Sequence, residues 1–226
     1  MIYVMSDIHG QTDKYRRMLR QIGLTDADRL FVLGDVVDRG DGGIDVLLDV
    51  MARPNVTVLI GNHEWSMATL LGNQNALRAK LGQDKTDALF RLWFEDGGLA
   101  TYRAYMRLDE ATRRKVLDYI QDMHFIYELQ VGDKQYFLAH TLPPYSQDVP
   151  LVEHPADDFL HGAPDYHTRY LPDCTIVTGH THTERIDPAY RGRIWRGNGH
   201  IAIDCGASRG GRLGCLCLDT MQEFYE

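Results

Sequence analysis

Short apolar runs recur along the chain, and each stops at a residue able to bind metal. They span residues 2–6 before Asp7, 29–34 before Asp35, 56–61 before Asn62, 135–139 before His140 and 175–179 before His180. Runs of four to six apolar, β-rich residues predict buried strands. The residue after each run then lies at the carboxyl end of a strand, the edge where open α/β sheets bind ligands. Helical spacing fills the gaps. Thr12–Ile22 places Tyr15, Met18, Leu19 and Ile22 on one face. Gly43–Met51 carries Ile44, Val46, Leu47, Leu48 and Val50, and Pro54 stops it. Residues 64–71 give a third helix. The alternation predicts an α/β protein with parallel strand pairs and right-handed crossovers.

Two stretches break this rhythm. Residues 73–122 are polar and helix-rich, with Trp93, Phe94, Tyr102, Tyr105 and Met106 as packing positions, and read as a helical cap inserted between two halves of the sheet region. Residues 143–172 are polar and proline-rich and read as a long irregular loop. The tail, 194–225, predicts short strands separated by turns at Gly197-Asn198-Gly199 and Gly210-Gly211. A chain of 226 residues suits one domain carrying such an insertion.

Composition narrows the function. Asp and Glu number 32 against 24 Lys and Arg, for a formal charge of −8. That balance disfavours a nucleic-acid surface or an anionic membrane as partner. The N-terminus lacks the basic start and apolar core of a signal peptide, and no run approaches a membrane span. Four cysteines, all in the last quarter, do not form a disulfide framework. Cys215 and Cys217 alternate in an apolar run and should share one face of a strand as small buried hydrophobes. The expectation is a cytoplasmic protein with reduced thiols.

The strand ends carry the chemistry. Asp7-x-His9, Gly34-Asp35-x-x-Asp38-Arg39-Gly40, Gly61-Asn62-His63-Glu64, the lone His140 and Gly179-His180-Thr181-His182 supply carboxylates, an amide, imidazoles and a guanidinium. Each has a plain structural reading: a capped helix start, a turn with Asn62 as N-cap, or a packed strand-end histidine. Five such motifs in order, each after an apolar run, agree on one site. Mixed carboxylate, amide and imidazole donors suit Mn²⁺, Fe, Zn²⁺ or Co²⁺ rather than Ca²⁺ or Mg²⁺. About seven donors exceed one tetrahedral site, which implies two ions, a recurrent arrangement for phosphoester hydrolysis.

These motifs, SDIHG, GDVVDRG, GNHE, the lone His140 and GHTH, resemble those of the calcineurin-like metallophosphoesterase superfamily, and within it the phosphoprotein phosphatases, bacterial members included. The tail, AIDCGASRGGRLGCLCLD, is also similar to that of the symmetrical diadenosine tetraphosphatases. The resemblance implies a four-layer α/β/β/α sandwich of two mixed sheets. It implies Asp7 and His9 on a first metal, Asp35 bridging, Asn62, His140 and His180 on a second, and His182 as a further first-metal ligand. Two ions, Mn²⁺ foremost, would share a hydroxide that attacks phosphorus. His63 would protonate the leaving oxygen and Asp38 would orient it. Arg39 would clamp phosphate, with Asn62 also at the substrate. Ile60 stands where related protein phosphatases often have arginine. Arg169, Arg185, Arg196 and Arg209 are weighed as substitutes, none favoured over an ordinary surface role. The expected substrate is a phosphorylated protein, at phosphoserine or phosphothreonine, or a small phosphoester. The alternative is symmetrical cleavage of diadenosine tetraphosphate or another nucleotide. A binding scaffold and a nuclease rank below both.

Overall fold

Successive residues of a strand face opposite sides of its sheet, and the buried strands of this chain use both sides. The computed structural model describes residues 1–226. The chain opens with β1 (Ile2–Met5), α1 (Thr12–Ile22), β2 (Arg29–Val32), α2 (Gly43–Met51), β3 (Val56–Val58) and α3 (Asn62–Gly72). A helical stretch follows: α4 (Gln74–Leu81), α5 (Gln83–Trp93), a π-turn over Phe94–Gly98, α6 (Leu99–Met106) and α7 (Glu110–Gln121). Next come β4 (Ile126–Val131), β5 (Lys134–Ala139), α8 (Asp158–His161), β6 (Cys174–Thr178) and α9 (Thr183–Ile186). The chain closes with β7 (Trp195–Gly197), β8 (His200–Ala202), β9 (Gly214–Cys217) and β10 (Glu223–Tyr225).

The strands form two sheets of five, ordered β10-β9-β1-β2-β3 and β4-β5-β6-β8-β7. Each has a parallel centre and antiparallel margins: β1, β2 and β3 run parallel in the first, and β5, β6 and β8 in the second. Alternation sorts the side chains into layers. Val4, Phe31, Leu33, Leu59 and Leu216 of the first sheet meet Tyr136, Leu138, Val177 and Ile201 of the second in one buried cluster. The opposite face of the first sheet, with Met5, Leu30, Val32, Val58, Cys215 and Cys217, packs under α1, α2 and α3. Cys215 and Cys217 therefore share a face, as their spacing requires. The outer face of the second sheet is covered more thinly, by Leu142 and Phe159 over Phe137 and Ile176. The result is the α/β/β/α sandwich with two mixed sheets and a helical insertion.

The segment expected as a cap joins the main core. Trp93, Tyr105, Val116 and Ile120 belong to the same buried cluster as Met18, Leu47 and Met67. Asp109 caps α7 by accepting a hydrogen bond from the Thr112 N–H at 2.9 Å. One strand escaped the periodicity. β4 has a mixed burial pattern, because it is the edge of its sheet and pairs only with β5. No helix is long and apolar enough to cross a membrane.

Candidate metal centre

Every one of the five strand-end motifs converges on one edge of the sandwich. The backbone there is unusual. Asp7, His9, Asp35, Asp38, Arg39 and His180 all have positive φ, between 45° and 67°. Side chains other than glycine seldom adopt this region, and it costs of order 1–3 kcal/mol each where packing enforces it. At Asp7, Asp35 and His180 the chain turns abruptly just after its strand, which throws the polar side chain across the edge instead of onto a sheet face.

Two donor groups result. His9, Asp35 and His63 bring ligand-capable atoms within 4.8 Å of one another, and so do Asp35, His140 and His180. Asp35 belongs to both, with its two oxygens divided between them. Oδ2 lies 3.5 Å from His9 Nε2, and Oδ1 lies 3.6 Å from His140 Nε2. Asp7 Oδ1 is 3.9 Å from His9 Nε2, and Asn62 Oδ1 is 3.0 Å from His140 Nε2. Asn62 is the first residue of α3 and not its N-cap, which is Gly61, so its amide is free to face the second group.

The donor set fits cations. His9 Nδ1–H donates to the Val37 carbonyl at 3.0 Å, and His140 Nδ1–H donates to the Leu33 carbonyl at 2.7 Å. These bonds fix both tautomers and turn each Nε2 lone pair inward, the usual preparation of a histidine ligand. His140 Nε2 meets His180 Nδ1 and Asn62 Oδ1, both at 3.0 Å. Acceptors crowded in this way need a positive partner. Burial pushes His9 and His180 down to about 3, so both are neutral and able to coordinate. Burial, then the charges of Asp204 and Asp35, pushes Asp7 well up. Asp7 and Asp204, both buried and both pushed up, are costly to keep charged, and divalent ions would relieve that cost.

His63 belongs to the first donor group, and Arg39 contacts it. His63 Nδ1–H donates to Asp38 Oδ2 at 2.7 Å. Burial alone would lower its titration, but the Asp35 charge and the bond to Asp38 outweigh that and push it up to about 9. Arg39 reaches His9 Nε2 at 2.7 Å and His63 Nε2 at 3.0 Å. The second contact needs a neutral His63. Proton uptake at His63 Nε2 would break that contact.

Several contributors were not legible as site residues. Glu64 accepts hydrogen bonds from the N–H groups of Asp35 (2.8 Å), Val36 (2.8 Å), Val37 (3.0 Å) and Gly61 (3.1 Å), and so shapes the turn that presents Asp35. A Cβ on Gly61 would fall 2.6 Å from Asp35 N, which explains the glycine. Trp93 Nε1–H donates to Asp38 Oδ2 at 2.8 Å, and Asp38 N–H donates to Thr101 Oγ1 at 2.9 Å. Asp96 lies 3.5 Å from Arg39 and 3.6 Å from His63. Asp204, fully buried, follows the apolar residues Ile201, Ala202 and Ile203, so the same strand-end grammar marks it. His182 stands outside both donor groups; its Nε2 faces Asp204 Oδ2 at 3.5 Å. Ile60 is buried in the helix-side core. Of the arginines weighed in its place, Arg169 is bonded to the Leu171 and Pro172 carbonyls, and Arg196 to Glu223 and the Met221 carbonyl. Arg209 lines a small cavity with His182 and Asp204.

Known proteins resemble this chain in sequence or in fold. A symmetrical bis(5'-nucleosyl)-tetraphosphatase from Glaesserella parasuis serovar 5 is 33% identical over 90 residues, which are 39% of this chain and 32% of that one. The match thus spans about a third of the length of that curated relative. A crystal structure described as a candidate diadenosine tetraphosphatase superposes with a TM-score of 0.62 at 18% identity, over 100% of this chain and 92% of the other. A protein serine/threonine phosphatase from Saccharomyces cerevisiae gives 0.56 at 14% identity, over 100% and 78%. At these identities both structures bear on the fold alone. The sequence profile of the calcineurin-like phosphoesterases matches residues 1–184, the span that holds both donor groups, His63 and Arg39, and the chain belongs to that family of phosphoester hydrolases.

Proposed function

We propose that the chain hydrolyses phosphoanhydride bonds of nucleotides, with a dinucleoside tetraphosphate as substrate and two nucleoside diphosphates as products. The observation that carries the hydrolytic part is the division of the Asp35 oxygens between two donor groups, with Arg39 bonded to His9 and His63 of one of them. The substrate class rests on the curated relatives that are named for this activity. The motifs GDVVDRG and GNHE favour phosphoserine or phosphothreonine in proteins as a second reading.

Asp7, His9 and Asp35 would hold one divalent ion, and Asp35, Asn62, His140 and His180 the other. Such ions supply charge neutralisation and a water acidic enough to ionise near neutral pH. The protein's own groups do the rest. Arg39 presents a planar pair of N–H donors to phosphate oxygens. His63 holds a proton on Nε2 for the leaving oxygen, and Asp38 fixes its ring through Nδ1. Trp93 and Thr101 in turn fix Asp38. Glu64 holds the turn that carries Asp35.

One assay separates the readings. Purified protein with Mn²⁺ is given diadenosine tetraphosphate, a phosphoserine peptide and p-nitrophenyl phosphate. Faster release of ADP from the dinucleotide than of phosphate from the peptide is expected. The reverse order would favour the protein phosphatase, and no turnover of any of them would sink the hydrolytic reading. The His63→Asn variant should lose about 10²-fold or more on an alkyl phosphate and far less on p-nitrophenyl phosphate, whose leaving group needs little protonation. Equal losses would remove His63 from the acid role.

A further inference from the structure

The face of α3 that carries Asn62 and His63 continues into a cavity of about 390 Å³. Pockets of about 300–1,000 Å³ with mostly apolar walls and a few polar groups are typical of small-molecule sites. On α3 the lining runs from Asn62 to Leu70, about 12 Å at the helical rise of 1.5 Å per residue. Across from it stand Leu89 and Leu92 of α5, with Asp96 and His161 at the rim. Large apolar side chains are left open here. Trp65 is 43% exposed, Leu89 36% and Leu92 63%. Trp65 is nonetheless held, because its ring packs on Phe125 at a centroid distance of 5.9 Å.

The position of the cavity matters as much as its lining. If His63 protonates the leaving oxygen, the leaving group departs on the His63 side, and that is where the cavity begins. An exposed indole opposite two leucines suits a flat aromatic ring, since base–aromatic stacking tolerates any base. The rim offers a carboxylate, an imidazole and the hydroxyls of Ser66 and Thr69. A purine edge, which carries several donors and acceptors side by side, can use more of that mixture than the single hydroxyl of a phenol ring.

We propose that this cavity is a purine nucleoside subsite, with the base of the departing nucleotide stacked on Trp65 opposite Leu89 and Leu92 and its polar edge turned to Ser66 and Thr69. The subsite rests on the nucleotide reading above, yet it can fail independently of it. Adenosine carries no phosphate and needs no metal, so it probes the cavity alone. Trp195 is buried away from the cavity, but Trp93 lines it, so the quenching that is lost in Trp65→Phe reports binding at Trp65. Titration of the full chain with adenosine should give saturable quenching. Calorimetry should show at least a tenfold weaker Kd in Trp65→Ala and in Leu92→Asp, the latter on an exposed helix position that leaves the core untouched. N-acetyltyrosinamide should bind at least tenfold more weakly than adenosine. Absence of saturable adenosine binding, an unchanged Kd in Leu92→Asp, or equal affinity for the tyrosine analogue would overturn the subsite. Hydrolysis of diadenosine tetraphosphate without adenosine binding would leave the activity standing and remove the subsite. Adenosine binding without that hydrolysis would do the opposite.

Discussion

Glu64 shows how much one buried side chain can organise. Its carboxylate oxygens accept four backbone N–H groups, three of them from the turn 35–37. Burial, with the nearby Asp35 charge, pushes its titration up to about 7, so its desolvation is only partly offset. Glu64→Gln puts an NH₂ group against those donors. Hydrogen bonds to a charged group are worth about 1.5–3 kcal/mol, and a buried unpaired group adds a similar cost. The variant should lose about 3 kcal/mol in urea unfolding; a loss under 1 kcal/mol would mean that the turn holds itself. His200 is a second residue whose surroundings set its charge. Its ring stacks on Tyr166 at 4.8 Å, its Nε2 shares a 2.8 Å hydrogen bond with the Thr178 hydroxyl, and its Nδ1 is buried without a partner. Burial pushes it down to about 3 from an ordinary 6.5. A base with a depressed folded value favours the unfolded chain once protonated. Its contribution is therefore complete above pH 6.5 and is lost as pH falls from 6.5 toward 3. Between pH 6.5 and 5 the loss is of order 2 kcal/mol at 1.36 kcal/mol per pH unit. Urea unfolding at the two pH values should show a smaller drop in His200→Gln than in the natural chain; equal drops would assign the acid sensitivity to other groups.

At the scale of elements, the centre depends on a π-turn far from it in sequence. Gly97 has φ +100°, and its carbonyl accepts the Arg39 N–H at 3.1 Å. A Cβ there would stand 2.7 Å from Arg39 N and 2.8 Å from its Cα. Gly97→Ala should therefore push α5 and α6 away from Arg39 and loosen the grip of Trp93 on Asp38. About 1–3 kcal/mol of backbone strain is expected, together with a roughly tenfold fall in kcat/KM and unchanged far-ultraviolet dichroism. Full activity would mean that the turn does not position Arg39. The periodicity of the sequence reads α1 and α2 to the residue, because each has an apolar stripe and α2 has Pro54 beyond its end. It reads the strand ends too, and the fold brings Asp7, His9, Asp35, Asn62, His140 and His180 together at one edge. It does not read the bond from Asp38 N–H to Thr101 Oγ1, which spans more than sixty positions and leaves no periodic trace. His182 stands apart from the two donor groups, facing Asp204. The spacing in His180-x-His182 suits an extended strand, whereas the chain turns at His180, with φ 63°, and α9 starts at Thr183.

Across the whole molecule, the second donor group is assembled from both halves of the sandwich. Asp35 and Asn62 end strands of the first sheet, and His140 and His180 end strands of the second. Besides the shared apolar layer, few polar bonds tie the two sheets at this edge: His140 Nδ1–H to the Leu33 carbonyl, at 2.7 Å, and His180 N–H to Asp7 Oδ2, at 2.9 Å. An ion held by donors from both sheets would therefore act as a clasp, and two divalent ions would also halve the formal charge of −8. Binding to the folded chain alone stabilises it by about 2.7 kcal/mol at a free concentration of 100 times Kd. For a chain of this size each kcal/mol moves Tm by about 2–4 °C, so Mn²⁺ added to chelator-treated protein should raise Tm by about 5–10 °C. The readout needs no turnover. Asp35→Asn weakens both donor groups and should lose most of the rise, whereas Asp133→Asn, in the exposed β4–β5 turn at the opposite end of β5 from His140, should keep it. An equal rise in Asp35→Asn would place the bound metal elsewhere, and no rise in the natural chain would mean that the facing imidazoles and carboxylates are held together by the protein alone.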